Sequence, residues 1–148
     1  MVARAKKFDE DDERRRYVVR LIIKHPSVDP STITKKLGLT PHIANLAGTH
    51  RESPNGTPLP GVYERSVWGY SVRVEGKRFF FEDVVKLIDA IEPHAEFLLE
   101  IVGTNGTVDL IFDLPGDVNI GDVMPWRELG RLSALKISLG IEVFPSFN

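Results

Sequence analysis

Residues 28–48, Val-Asp-Pro-Ser-Thr-Ile-Thr-Lys-Lys-Leu-Gly-Leu-Thr-Pro-His-Ile-Ala-Asn-Leu-Ala-Gly, constrain the fold more than any other stretch of the chain. Asp29 is placed to cap a helix whose first position is Pro30, where a missing N–H costs nothing. Ile33 and Leu37 share one helical face, Gly38 supplies a left-handed stop, and Thr40-Pro41 restarts the chain. Two architectures use such a segment. In a winged helix it is a helix-turn-helix, with a first helix over residues 14–24, a recognition helix over 41–49 and a wing at Gly76. In an α+β sandwich it is a crossover helix that only packs on a sheet.

The neighbouring residues favour the sandwich. Tyr17, Val19, Leu21 and Ile23 alternate with Val18, Arg20, Ile22 and Lys24 in a β-branched run, which is the pattern of a strand. The helix-turn-helix needs a small residue before its turn and a β-branched one after it, where this chain has Thr34 and Ala44. Its recognition segment also lacks Arg or Lys until Arg51, although phosphate contacts supply most affinity for nucleic acid.

Local patterns then assign a helix at 30–37 and a strand at 67–74, the latter with Trp68, Tyr70, Val72 and Val74 on one face. Glu75-Gly76 is a turn, and residues 78–80 read as a short return strand. Helices follow at 82–91 and 93–102, broken at Pro93, then a strand at 107–114, a helix near 125–136 and a strand at 137–144. Residues 49–61 are dense in turn formers and read as a long loop. The expected class is α+β: a two-layer sandwich with a mostly antiparallel sheet of about four to five strands and three to four helices packed on it.

With 148 residues, 42% of them hydrophobic and 27% charged, the chain suits one soluble domain. Residues 1–16 alternate blocks of charge and are expected to form a disordered tail, leaving 17–148 as the domain. No apolar run approaches the ~20 residues of a membrane span, and no apolar segment follows the basic start as in a secretory signal, so a cytoplasmic location is expected. The absence of cysteine removes disulfides and thiolate chemistry. A net charge of −2 exerts no general pull toward nucleic acid or anionic lipid.

No catalytic or cofactor pattern emerges. His25, His42, His50 and His94 are not spaced with one another or with carboxylates as metal ligands, so no metal is expected. Asp109, Asp113, Asp117 and Asp122 lack the spacing of a calcium loop. Residues 103–106 lack the lysine of a phosphate loop, and Ser66, Ser71, Ser133 and Ser138 lie in no nucleophile elbow. A non-enzymatic role without cofactors is the expectation.

Over residues 17–145 the chain resembles the bacterial domain-of-unknown-function family 4279. The resemblance is carried by Val28-Asp29-Pro30, Ile33, Lys36-Leu37-Gly38-Leu39-Thr40-Pro41, Gly48, Trp68, Leu129-Gly130-Arg131-Leu132-Ser133-Ala134-Leu135 and the strand 137–144. It implies a compact α+β domain and assigns no activity or site.

These observations lead to an interaction module that recognises another protein, with an immunity-type neutralising role as one form of it. Nucleic acid is disfavoured as a partner, a membrane is not expected, and the chain is expected to be a monomer or homodimer. Candidate binding residues are His42, Asn45, Arg51, Trp68, Tyr70 and Arg73. Trp68 and Tyr70 read most simply as core residues on the buried face of their strand, but if the sheet has an open face they line a groove with Arg65 and Arg73 at its rim and the 41–61 segment arching over it. The alternatives are a winged-helix-like DNA binder, and a small-molecule site or enzyme near Trp68 and His42.

Overall fold

The β-branched run at the start of the domain forms strand β1 (Arg16–His25), which lies at the centre of a five-stranded sheet. The computed structural model describes residues 15–76 and 79–145. Of the expected charged tail, residues 1–14 lie outside the described residues. Its last two positions belong to the fold, since Arg15 is buried and Arg16 opens β1.

β1 pairs antiparallel with β5 (Ser66–Glu75) on one side and β6 (Thr107–Pro115) on the other. A three-residue strand, β2 (Ile43–Asn45), adds to the outer side of β5, and β7 (Ile137–Phe144) runs parallel to β6. The order is β2-β5-β1-β6-β7, which matches the expected mostly antiparallel α+β sheet. A strand at residues 16–25 excludes the winged-helix architecture, which needs a helix there.

The register places Tyr17, Val19, Leu21 and Ile23 beside Val74, Val72, Tyr70 and Trp68 on one face, and Val19, Leu21 and Ile23 beside Phe112, Leu110 and Val108. Four helices cover this face: α1 (Pro30–Leu37), α2 (Phe81–Ile91), α3 (Ala95–Gly103) and α4 (Trp126–Ala134). They bury Ile33, Leu37, Val84, Leu87, Ile88, Ile91, Leu98, Ile101 and Leu132 against the strands. Each such side chain contributes roughly 1.5–3 kcal/mol by leaving water. The opposite face carries Val18, Arg20, Ile22 and Lys24 of β1, and there Arg20 pairs with Asp113 at 2.8 Å and Glu142 at 3.1 Å.

Local chemistry sets the joints. Asp29 caps α1 by accepting from the Ser31 N–H at 2.9 Å, and Gly38 ends the helix at φ 67°. The hydrogen bonds from Ser31 hold the Asp29 carboxyl below the usual carboxylate range. Pro93 does break the helical run, as a 3-10 turn (Glu92–His94) between α2 and α3. α2 lacks a capping side chain of its own, and the Phe81 N–H instead donates to Asp122 at 3.1 Å from the crossover before α4. Residue 78 of the expected return strand lies outside the described residues, and Phe80 enters α2 directly. α4 stops at Ala134, so Leu135 and Lys136 form its turn into β7.

Candidate functional site

The expected loop at 49–61 is instead a hairpin, the main correction to the sequence reading. β3 (His50–Glu52) pairs with β4 (Pro58–Val62) in a separate two-stranded sheet. The hairpin is tied at its base, where the Gly48 N–H donates to the Tyr63 carbonyl at 2.8 Å and the Tyr63 N–H donates to the Thr49 carbonyl at 3.0 Å. At the tip, the Ser53 N–H donates to the Thr57 carbonyl at 2.8 Å and the Gly56 N–H to the Ser53 carbonyl at 2.9 Å. The Ser53 hydroxyl also bonds the Asn55 side chain. Gly56 and Gly61 take φ of 84° and 86°, which an L side chain rarely adopts.

Every residue of β3 and β4 is exposed, including the apolar Leu59 and Val62. The arm therefore owes its order to its own hydrogen bonds and not to core packing. It springs from the sheet edge formed by β2 and β5, where the Ala47 N–H donates to the Ser66 hydroxyl at 3.0 Å. The Arg65 guanidinium fastens its outgoing limb by donating to the Asn105 carbonyl at 2.8 Å. A shallow depression at the base is lined by Arg51, Val62, Tyr63, Glu64, Arg65 and Val67.

The structure divides the candidate residues among three places. Arg51 is exposed on the arm, and its guanidinium reaches the Pro60 carbonyl at 3.5 Å. His42 precedes β2 and Asn45 ends it, at the foot of the arm; His42 is exposed and its N–H donates to the Gly69 carbonyl at 2.8 Å. Trp68 and Tyr70 point to the helix-covered face, so they do not line a groove beneath the 41–61 segment. Trp68 is fully buried with its indole N–H on Thr34 Oγ1 at 3.0 Å, and Tyr70 is half-buried against the core. Arg73 is exposed on the other face, opposite Val18. His42, Asn45 and Arg51 thus share one end of the molecule, while Trp68 and Tyr70 serve packing.

Among the histidines, His25 is structural. Its Nδ1 accepts from the Ser27 and Val28 N–H groups at 3.0 and 2.9 Å, which places the ring proton on Nε2, 2.8 Å from the Thr104 hydroxyl. The ring thereby joins the end of β1 to the start of α1 and the end of α3. Leu59, Val62 and Tyr63 were missed as site candidates, because neither hairpin strand has a buried face and so no alternation marks it.

The profile of a family described as Domain of unknown function (DUF4279) matches residues 15–143. The chain belongs to this family. The DUF4279 match begins at the buried Arg15 and ends within β7, so it takes in the whole sheet and the arm. Neither a curated protein nor a solved structure matches the chain. No helix among the described residues is long and apolar enough to cross a membrane.

Proposed function

We propose that this DUF4279 chain is a protein-recognition module whose contact element is the β3–β4 arm. One observation carries the reading: an ordered hairpin with exposed apolar Leu59 and Val62 that adds nothing to its own domain's core. Ordering a segment costs roughly 1–2 kcal/mol per residue in backbone entropy, and a hairpin folded beforehand spares a binding event that cost. The charges favour a protein over nucleic acid. Arg51 and Arg65 are balanced by Glu52 and Glu64, so the arm has no surplus of cations for phosphate. His42 and Asn45 extend the surface to the adjoining sheet edge.

The test compares the full chain with a variant in which residues 50–62 are replaced by two glycines, and with Leu59→Asp. Each is used as bait against extract from the source cells, with a photo-crosslinking amino acid at position 64, at the base of the arm and present in every variant, or, as a control, at 138. A protein crosslinked from position 64 and lost from both variants supports the arm. Identical captured proteins with and without the arm would sink the reading.

A further inference from the structure

The two edges of the main sheet are treated differently. At one, β2 is only three residues long and leads into the arm, which leaves little template for another strand. At the other, β7 runs for eight residues, and no described residue pairs with its outer side. β7 lacks the usual edge defences, since it holds no proline and no lysine, and its one charge, Glu142, faces Arg20.

The strand is also apolar where it meets solvent. The register puts Leu139, Ile141 and Val143 on the helix-bearing side, yet they remain 40%, 61% and 62% exposed. α4 packs against β7 on that side and adds Trp126 at 76% and Leu129 at 47% exposure. Together these residues present on the order of 500 Å² of apolar side chain before any main chain is counted, against ~800 Å² per partner in a standard interface.

We infer that this edge is the interface of a homodimer, in which β7 pairs antiparallel with β7 of a second copy to make one ten-stranded sheet. The charge pattern selects both the occupant and the register. A two-fold axis normal to the sheet must pass midway between the two copies of one residue, which then pairs with itself, because facing residues share a side. An axis at Leu139 sets Ile137 against Ile141 of the partner subunit and, twice over, brings Lys136, in the left-handed turn just before β7 (φ 54°), to the level of Glu142 of the partner subunit. An axis at Gly140 or Ile141 leaves Lys136 without that carboxylate. Glu142 has its side chain 52% exposed while bound to Arg20, so it can accept a second cation. This surface lies at the opposite sheet edge from the arm, and the inference is independent of the arm's role.

The absence of native cysteine makes the register testable. Light scattering and sedimentation over a concentration series should give a species of twice the 16.6 kDa chain mass. Ile141→Lys and Lys136→Glu alter exposed side chains, and each should weaken the dimer by about tenfold or more, with folding checked by circular dichroism. Under mild oxidation Leu139→Cys should form an intermolecular disulfide, because the self-paired Cα atoms lie ~5 Å apart. Val143→Cys should not, because its copies fall about 26 Å apart. A chain monomeric at every concentration overturns the inference, as does a dimer in which Val143→Cys crosslinks as readily as Leu139→Cys.

Discussion

The indole N–H of Trp68 donates to the hydroxyl of Thr34 at 3.0 Å, joining the start of β5 to α1. The same hydroxyl reaches the Pro30 carbonyl at 3.3 Å, so it mediates between the buried ring and the helix backbone. Thr34 is one of the two residues that depart from a helix-turn-helix, and here it is the polar partner of the buried Trp68 indole.

Thr34→Val keeps the shape of the side chain and orphans the indole N–H, at a cost of about 1–3 kcal/mol. Trp68→Phe removes the donor as well. Urea denaturation of the two single variants and the double variant should therefore show less than additive losses. Strict additivity would mean that the hydrogen bond has no energetic role.

Gly69 is the contact point between β5 and the foot of the arm. A Cβ there would lie 2.6 Å from Ile43 Cγ2, 2.9 Å from His42 Cε1 and 2.9 Å from Ile22 Cδ1. Gly69→Ala should cost about 1–3 kcal/mol through overpacking. The disturbance should be local: amide exchange should speed up at Ile43 and Asn45, while β1 and β6 keep their protection. Unchanged exchange in β2 would contradict the close packing.

The Tyr17 phenol donates to the Asp83 carboxylate across the junction of β1 and α2. Burial, reinforced by this bond to Asp83, pushes the phenol well above its ordinary range. The folded state thus favours the protonated form, and that contribution is fully present below the ordinary value of ~10 and lost as pH rises beyond it. Tyr17→Phe should cost about 1.5–3 kcal/mol at neutral pH and flatten the alkaline fall in stability. Equal alkaline slopes for the two proteins, measured by urea titration from pH 8 to ~11, would refute the coupling.

Arg131 fastens α4 to the end of α2. Its guanidinium meets Asp89 at 2.6 Å, Glu92 at 2.9 Å and Glu128 at 2.9 Å, and the bonds to Glu92, Asp89 and Glu128 stabilise its charged form further. The cluster is solvated, so Arg131→Met should cost at most about 1 kcal/mol, and the loss should shrink at ~0.5 M salt. A salt-independent loss would indicate packing of the side-chain stem instead.

Legibility of the fold tracked burial. β1, β5 and β6, which have one covered face, and β7, which is apolar on the same side though largely exposed, announced themselves by alternation, and α1 by Asp29, Pro30 and Gly38 at its ends. The β3–β4 arm was invisible because alternation records a buried face and it has none; Pro58 and Pro60 lie within β4 itself. The candidate site was legible only in part. Parity linked Trp68 to Tyr70 and separated both from Arg73, but which side the helices cover depends on the crossovers. That choice placed Trp68 in the core and left His42, Asn45 and Arg51 at the arm.

The central position of β1 has a consequence during synthesis. It is the earliest described strand, yet its neighbours are β5, completed at Glu75, and β6, completed at Pro115. At about 5–20 residues per second, roughly 5–20 s separate the emergence of His25 from that of the last residue of β6. Throughout that interval a strand with a wholly apolar face stands with at least one bare edge. The yield of folded protein should therefore depend on chaperones that hold nascent chains, and more so when translation between β5 and β6 is slowed.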